Sequence, residues 1–151
     1  IKIENLMAKP QFFISSTYYD LKTVSSYKAT DAILKGNGLA RADLMGRPRV
    51  VFNGNQADIL EFKIATGVAD VYSLTLKYHN PFSENLKAKL EFLSNDGTLM
   101  KTENLELAPT KEGKWNYVNT NTGSMINAGS YLVRIIATST KGLYVDALDV
   151  Q

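Results

Sequence analysis

The sequence predicts an all-β domain built as a two-sheet antiparallel β-sandwich, and three observations carry that expectation. Within Val68–Pro81 (VADVYSLTLKYHNP), Tyr72, Leu74, Leu76 and Tyr78 alternate with Val71, Ser73, Thr75 and Lys77. Successive strand side chains point to opposite faces, so this reads as a strand with one buried, large and apolar face. Leu86–Leu93 and Thr98–Leu107 flank Asn95-Asp96-Gly97, with Leu86, Ala88, Leu90 and Phe92 opposite Lys87, Lys89 and Glu91, the pattern of a hairpin. Turn-forming residues recur at spacings of about 8–12 residues without a helix-period segment of useful length, which makes roughly nine or ten strands. A chain of 151 residues is one domain's worth, enough to bury a core without disulfide staples.

Taken in order, Ile1–Ser26 reads as an ordered lead-in packed against this domain or a preceding one. Phe12-Phe13-Ile14 and Tyr18-Tyr19 supply aromatics that disordered tails rarely carry. The sandwich module is expected over 27–151, with Tyr27–Leu34 as its first strand, ending at the Gly36-Asn37-Gly38 turn. Leu39–Pro48, interrupted by Gly46 and Pro48, is expected as a long loop. Arg49–Phe52 then meets Asn53-Gly54, a dipeptide suited to a tight hairpin because both residues tolerate positive φ. Ala57–Ile64 alternates Ile59, Glu61 and Lys63 with Leu60, Phe62 and Ile64. The central strand stops at His79-Asn80-Pro81, since proline cannot donate to a ladder and restricts the residue before it. Ser83–Lys89 can alternatively form a short helical turn. Lys114–Val118, Ser130–Ala137 and Leu143–Val150 complete the set, separated by glycines.

Composition removes several function classes. Lys+Arg 17 against Asp+Glu 15 leaves a formal charge of +2, no electrostatic case for nucleic acid or an anionic membrane. No apolar run approaches membrane-spanning length. The absence of cysteine excludes disulfides and thiolate chemistry without fixing the compartment. The chain opens at Ile1 without an initiator methionine or a signal peptide, which reads as a mature segment or an excised fragment.

An ordered set of blocks resembles carbohydrate-binding modules of the family 6 and family 35 type. YKATDAILKG (Tyr27–Gly36) is similar to their opening strand, and VADVYSLTLKYHNP to their central strand ending in Arg/Lys-Tyr-x-Asn. GKWNYV (Gly113–Val118) resembles their Trp strand, while INAGSYLVRI (Ile126–Ile135) and GLYVDALDV (Gly142–Val150) resemble the closing pair. The resemblance covers about residues 27–151. It implies a non-catalytic jelly-roll, usually appended to a secreted glycoside hydrolase, in the periplasm or outside the cell. Its implied partners are a polysaccharide or oligosaccharide and the catalytic domain of the parent chain. The lead-in and overall character also resemble the C-terminal accessory module of family 2, β-galactosidase-like glycosidases of Bacteroides-type bacteria.

Departures from that family bear on the site. Such modules hold a structural calcium with glutamates in the opening strand, where this chain has Lys28 and Thr30; a lysine repels a cation there. Asp31, Asp146 and Asp149 remain as oxygen ligands or as solvated, turn-capping aspartates, and no cofactor is expected. The family's last loop often carries a sugar-binding Asn, whereas Lys141–Val145 has none. Sugars are held by aromatic faces, with polar groups taking the hydroxyls. The candidates for carbohydrate contact are therefore Tyr144, Trp115, His79, Asn80 and Arg47. Tyr144 lies beside the last loop. Trp115, the only Trp, starts a strand and is either a platform or a rim-of-core residue closing the sandwich. His79, the only His, is expected as a surface hydrogen-bonding residue, and Asn80 as a ligand or the cap of the turn before Pro81. Arg47 belongs to a loop whose Arg41, Asp43 and Arg49 can line a cleft. Tyr78 is expected in the core.

Enzyme signatures are missing: there is no Gly-x-Ser-x-Gly elbow, no HExxH and no Gly-rich phosphate loop. Glu103 and Glu106, three apart on a strand, fall on opposite faces, wrong for a glycosidase pair, and Asp146 and Asp149 read as surface charge. The sequence thus predicts a non-catalytic accessory domain that binds glycan weakly or positions a catalytic domain. The alternative is a purely structural, interdomain-docking sandwich without sugar binding.

Overall fold

Period-two burial places each strand, and the computed structural model describes residues 24–54 and 56–151. Among them lie β1 (Ser25–Lys28), β2 (Ile33–Lys35), β3 (Leu39–Leu44), β4 (Arg47–Phe52), β5 (Ile59–Thr66) and β6 (Ser73–His79). They are followed by β7 (Leu86–Ser94), β8 (Leu99–Leu107), β9 (Asn116–Asn121), β10 (Gly129–Ser139) and β11 (Leu143–Val150). The strands make two antiparallel sheets. One runs β3-β4-β11-β6-β9 with β1 also paired to β11; the other runs β2-β5-β10-β7-β8. The expected two-sheet sandwich is therefore observed, with eleven strands among the described residues rather than nine or ten.

The core lies between the sheets. Leu74, Leu76 and Tyr78 of β6, Val50 and Phe52 of β4, and Val145, Leu148 and Val150 of β11 project from one side. Leu60, Phe62 and Ile64 of β5, Val133 and Ile135 of β10, and Ala88, Leu90 and Phe92 of β7 meet them. The β7–β8 hairpin forms as predicted, turning at Gly97 with φ +91°. Residues 83–85 are not helical and β7 starts at Leu86, so the alternative helical turn does not form.

Three segments differ from expectation, each for a physical reason. Tyr27–Leu34 is not one strand: a single 3-10 turn at Ala29–Asp31 splits it, sending β1 to β11 and β2 to β5. Leu39–Pro48 is not a loop but β3 and the start of β4, joined at Met45 and Gly46 with φ of 53° and 83°, the two positive angles a tight hairpin needs. Pro48 is tolerated because β11 pairs β4 only at Val50–Phe52. Asn53-Gly54 is not a hairpin turn; it carries the chain from one sheet to the other. That crossing is pinned by Asn53 N donating to the Gly38 carbonyl (2.5 Å) and Thr140 Oγ1 donating to the Gly54 carbonyl (3.0 Å). Buried Asp58 accepts from Gly38 N at 3.3 Å, so close that a Cβ on Gly38 would lie 1.9 Å from its carboxylate. The lead-in expected over Ile1–Ser26 lies, up to residue 23, outside the described residues.

Candidate functional site

Registers, rather than sequence neighbourhood, assemble a polar and aromatic surface on the outer face of the six-stranded sheet. Val145 of β11 is opposite Val50 and Tyr78, and all three point into the core. Their neighbours Tyr144, Val51 and His79, paired in the same register, therefore point outward. Trp115 precedes Asn116, the partner of Tyr78, and so arrives beside His79. The result is a row across three strands: the His79 ring is 5.9 Å from Trp115, edge-on, and 6.3 Å from Tyr144. Trp115 is not part of the core; it lies over the sheet's outer surface, half-buried.

Below that row runs a charged one. The Arg49 guanidinium sits 4.6 Å from the Trp115 ring centroid and Lys77 Nζ at 5.7 Å, so the indole face covers two cations. Both converge on Asp146, at 2.8 Å from Arg49 Nε and 3.2 Å from Lys77 Nζ, with Arg47 Nη2 at 3.9 Å. Arg49 is 4% exposed and the Asp146 side chain 11%, whereas Arg47 is 61% exposed. Although Arg49 Nε is close to the carboxylate, its N–H points off the line and makes no aligned hydrogen bond, so the contact is a charge pair.

A β-bulge creates this hub. On β11 the register against β6 skips between Val145 and Ala147, leaving Asp146 as the extra residue. The bulge turns Asp146 outward and restores the inward aim of Leu148 and Val150. The reading of Asp146 as ordinary surface charge is thus corrected. The parity break is visible in LYVDALDV, where Leu143 and Val145 share one parity and Leu148 and Val150 the other. A cleft of about 340 Å³ opens where β11 exchanges β4 for β1 along one edge. Lys28, Arg47, Lys77, Tyr117, Asp146 and Asp149 are among the residues lining it.

The remaining candidates divide. Arg47 is on the cleft, but on β4 with Arg49, not on a loop. His79 is buried at 6% exposure, contrary to the surface position expected. Its Nδ1 lies 2.8 Å from the Lys114 carbonyl, which can only accept, so Nδ1 carries the proton; Thr110 Oγ1 is 2.7 Å away. His79 thereby fastens the segment that presents Trp115. Asn80 is fully buried, and its amide is consumed: Nδ2 donates to the Leu107 and Glu84 carbonyls (2.9 Å each), and Oδ1 accepts from Phe82 N at 2.9 Å. Asn80 caps the turn across Pro81 and presents nothing to a ligand. Tyr78 is in the core, as predicted.

The calcium implied by the resemblance does not fit these residues. Lys28 and Thr30 face the same cleft as Asp146 and Asp149, Asp146 is already engaged by cations, and no cluster of three or more His, Asp or Glu forms among the described residues. The paired carboxylates Glu103 and Glu106 do lie apart: Glu103 accepts from Thr120 Oγ1 (2.5 Å) and pairs with Lys101, while Glu106 pairs with Lys87.

No family model and no curated protein matches the sequence. Solved structures do. A native family 35 carbohydrate-binding module from Clostridium thermocellum superposes with a TM-score of 0.70 at 21% identity, over 85% of this chain and 97% of that one. The C-terminal family 6 module of a marine laminarinase from Zobellia galactanivorans gives 0.66 at 13% identity, over 85% and 99%. A GH26-CBM35 β-1,4-mannanase from Podospora anserina gives 0.62 at 18% identity, over 86% of this chain and 28% of that one. At these identities the likeness is one of architecture: this chain has the jelly-roll fold of family 35 and family 6 carbohydrate-binding modules.

Proposed function

We propose that this chain is a non-catalytic carbohydrate-binding module, and that it binds glycan on the outer face of the six-stranded sheet. The observation that carries the reading is the row Tyr144–His79–Trp115 beside the cleft lined by Arg47, Lys77 and Tyr117. An aromatic surface next to hydrogen-bonding side chains is what a sugar needs, because its C–H face stacks while its hydroxyls replace lost water with new partners. Trp115 and Tyr144 are the stacking residues in this reading. Arg47 takes hydroxyls or charged substituents, and His79 holds the Trp115 segment. Tyr117, 55% exposed on β9, adds a platform that the sequence reading passed over. Asp146 is tied to Arg49 and Lys77, so its place on this face is to hold those cations under Trp115.

The wider context belongs to the same proposal. The module serves a glycoside hydrolase working outside the cytoplasm, family 2 and β-galactosidase-like, by holding its catalytic domain near a polysaccharide. The likeness to a module carried by a mannanase chain supports a hydrolase parent. Native affinity electrophoresis through gels containing galactan, mannan, xylan or polygalacturonate tests the binding. Retardation by at least one polysaccharide, lost in Trp115→Ala and reduced in Tyr144→Ala with the fold intact by circular dichroism, is the expected result. Absence of retardation by all of them, or retardation indifferent to both substitutions, would overturn it in favour of a docking domain.

A further inference from the structure

We infer that His79 is itself a ligand contact: its Nε2 accepts a hydrogen bond from a free hydroxyl of the sugar on the aromatic row. This makes it a specificity-determining residue as well as the anchor of Trp115, and it rests on the glycan-binding reading above. Hydrogen bonds within the domain fix the tautomer of the ring. Nδ1 faces two oxygens, the Lys114 carbonyl at 2.8 Å and Thr110 Oγ1 at 2.7 Å. The carbonyl has no proton to give. Thr110 Oγ1 donates its own to the Asn80 carbonyl (3.1 Å) and accepts from Asn80 N (3.0 Å). Nδ1–H is therefore the donor, and Nε2 of the neutral ring keeps a lone pair.

That lone pair is unspent. His79 is 6% exposed, yet Nε2 makes no hydrogen bond among the described residues. Among them Arg49 Nε is the one wholly enclosed side-chain nitrogen or oxygen left without such a partner, so Nε2 opens to solvent and not into the packing. The ring stands beside those of Trp115 and Tyr144 and lines a cleft of about 280 Å³ with Pro81, Thr110 and Glu112. Because packing holds the imidazole in place, a ligand that uses it has no further side chain to order there. A sugar hydroxyl brings the proton this acceptor lacks, whereas an O-acetyl or O-methyl group in its place has none to give. Asn80, the next residue, is the contrast, since its amide is consumed by backbone carbonyls.

His79 is the only histidine, which makes the test direct. Long-range proton–nitrogen NMR spectra of isotope-labelled protein resolve the two ring nitrogens. In the free protein Nδ1 should carry the proton and Nε2 none. Saturating galacto-, manno- or xylo-oligosaccharide should then move the Nε2 resonance and leave Nδ1 in place, which a purely structural histidine would not show. His79→Asn is the second arm, because the asparagine amide can reproduce the Nδ1–H donor but not Nε2. It should keep the wild-type melting curve and the fluorescence of Trp115, and weaken retardation in galactan, mannan or xylan gels about tenfold. Three results would overturn the contact while leaving glycan binding standing: Nε2 protonated in the free protein, an Nε2 resonance indifferent to a sugar that binds, or His79→Asn binding as wild type does. No binding of any of these glycans by folded wild-type protein overturns both readings.

Discussion

Asp146→Asn is the sharpest probe of how this face is held together. The substitution keeps shape and removes charge, leaving the Arg49 guanidinium, 4% exposed, without its counterion. Removing one partner of a buried ion pair costs about 3–5 kcal/mol, because the other charge stays desolvated and uncompensated. Here the cost is smaller. The Asp146 side chain is 11% exposed and Lys77 25%, so water reaches the hub. The Trp115 face, 4.6 Å from Arg49, also retains a cation–π contact of about 0.5–2 kcal/mol. The expectation is a loss of about 2–3 kcal/mol. Equilibrium urea unfolding measures it, followed by circular dichroism and by the fluorescence of Trp115, the single tryptophan, which sits on the perturbed arginine. The asymmetry of buried pairs supplies the control: Arg49→Met combined with Asp146→Asn removes both charges and should recover most of the loss. A single variant within about 0.5 kcal/mol of wild type, or a double variant no better than the single, would refute the hub as described.

Three further outcomes follow from the same packing. Leu76→Ala, in the central strand and 1% exposed, should cost about 2–5 kcal/mol through lost burial and a cavity; an unchanged melting temperature would contradict its place in the core. Burial pushes the Glu61 carboxyl up, but hydrogen bonds from Arg134 (2.8 Å) and Lys35 (3.0 Å) outweigh it and hold the group below the ordinary glutamate range. A depressed folded-state pKa gives stability that is present above the unfolded value of about 4.3 and lost as pH falls through the folded one. Urea midpoints should therefore drop below about pH 4.3, and less steeply in Glu61→Gln; identical slopes would remove Glu61 from the account. Melting curves in chelator and in millimolar calcium should coincide, because Lys28 and Thr30 give a cation nothing to bind, whereas stabilisation at micromolar calcium would show that Asp146 and Asp149 suffice.

What the sequence disclosed tracks how local each cause is. Val71–Tyr78 and the β7–β8 hairpin were legible because one-sided burial repeats at every second residue and the turn residues sit between the strands. Met45 hid the β3–β4 turn, since a methionine at positive φ breaks the rule that glycine or asparagine marks such a bend. Asn53-Gly54 misled for the opposite reason: its turn propensity is real, but contacts from Gly38 and Thr140 use it for a crossing between sheets. The site was legible as a set of residue types and not as an arrangement. Tyr144, His79 and Trp115 are well separated in sequence, and only the β11–β6–β9 register makes them one row. Asn80 follows His79 at the strand end, where sequence allows a ligand or a turn cap; burial decides for the cap by giving its amide to the backbone.

The departure at Lys28 changes how the opening strand is held to the last one. In a jelly-roll whose opening strand carries glutamates, a divalent ion can tie that strand to the last one. In this chain the tie is made by the antiparallel ladder of Ser25–Lys28 with Ala147–Val150, and the nearby carboxylate Asp146 is satisfied by Arg49 and Lys77. A cation built into the chain needs no ion from solution, but it also cannot leave. The charge it brings therefore remains in the cleft and acts on whatever enters. Lys28→Glu tests this account: placed in the lining with Asp146 and Asp149, it should make the melting temperature rise with calcium. A variant whose melting temperature is the same in chelator and in millimolar calcium would show that Lys28 is not what denies the ion a place.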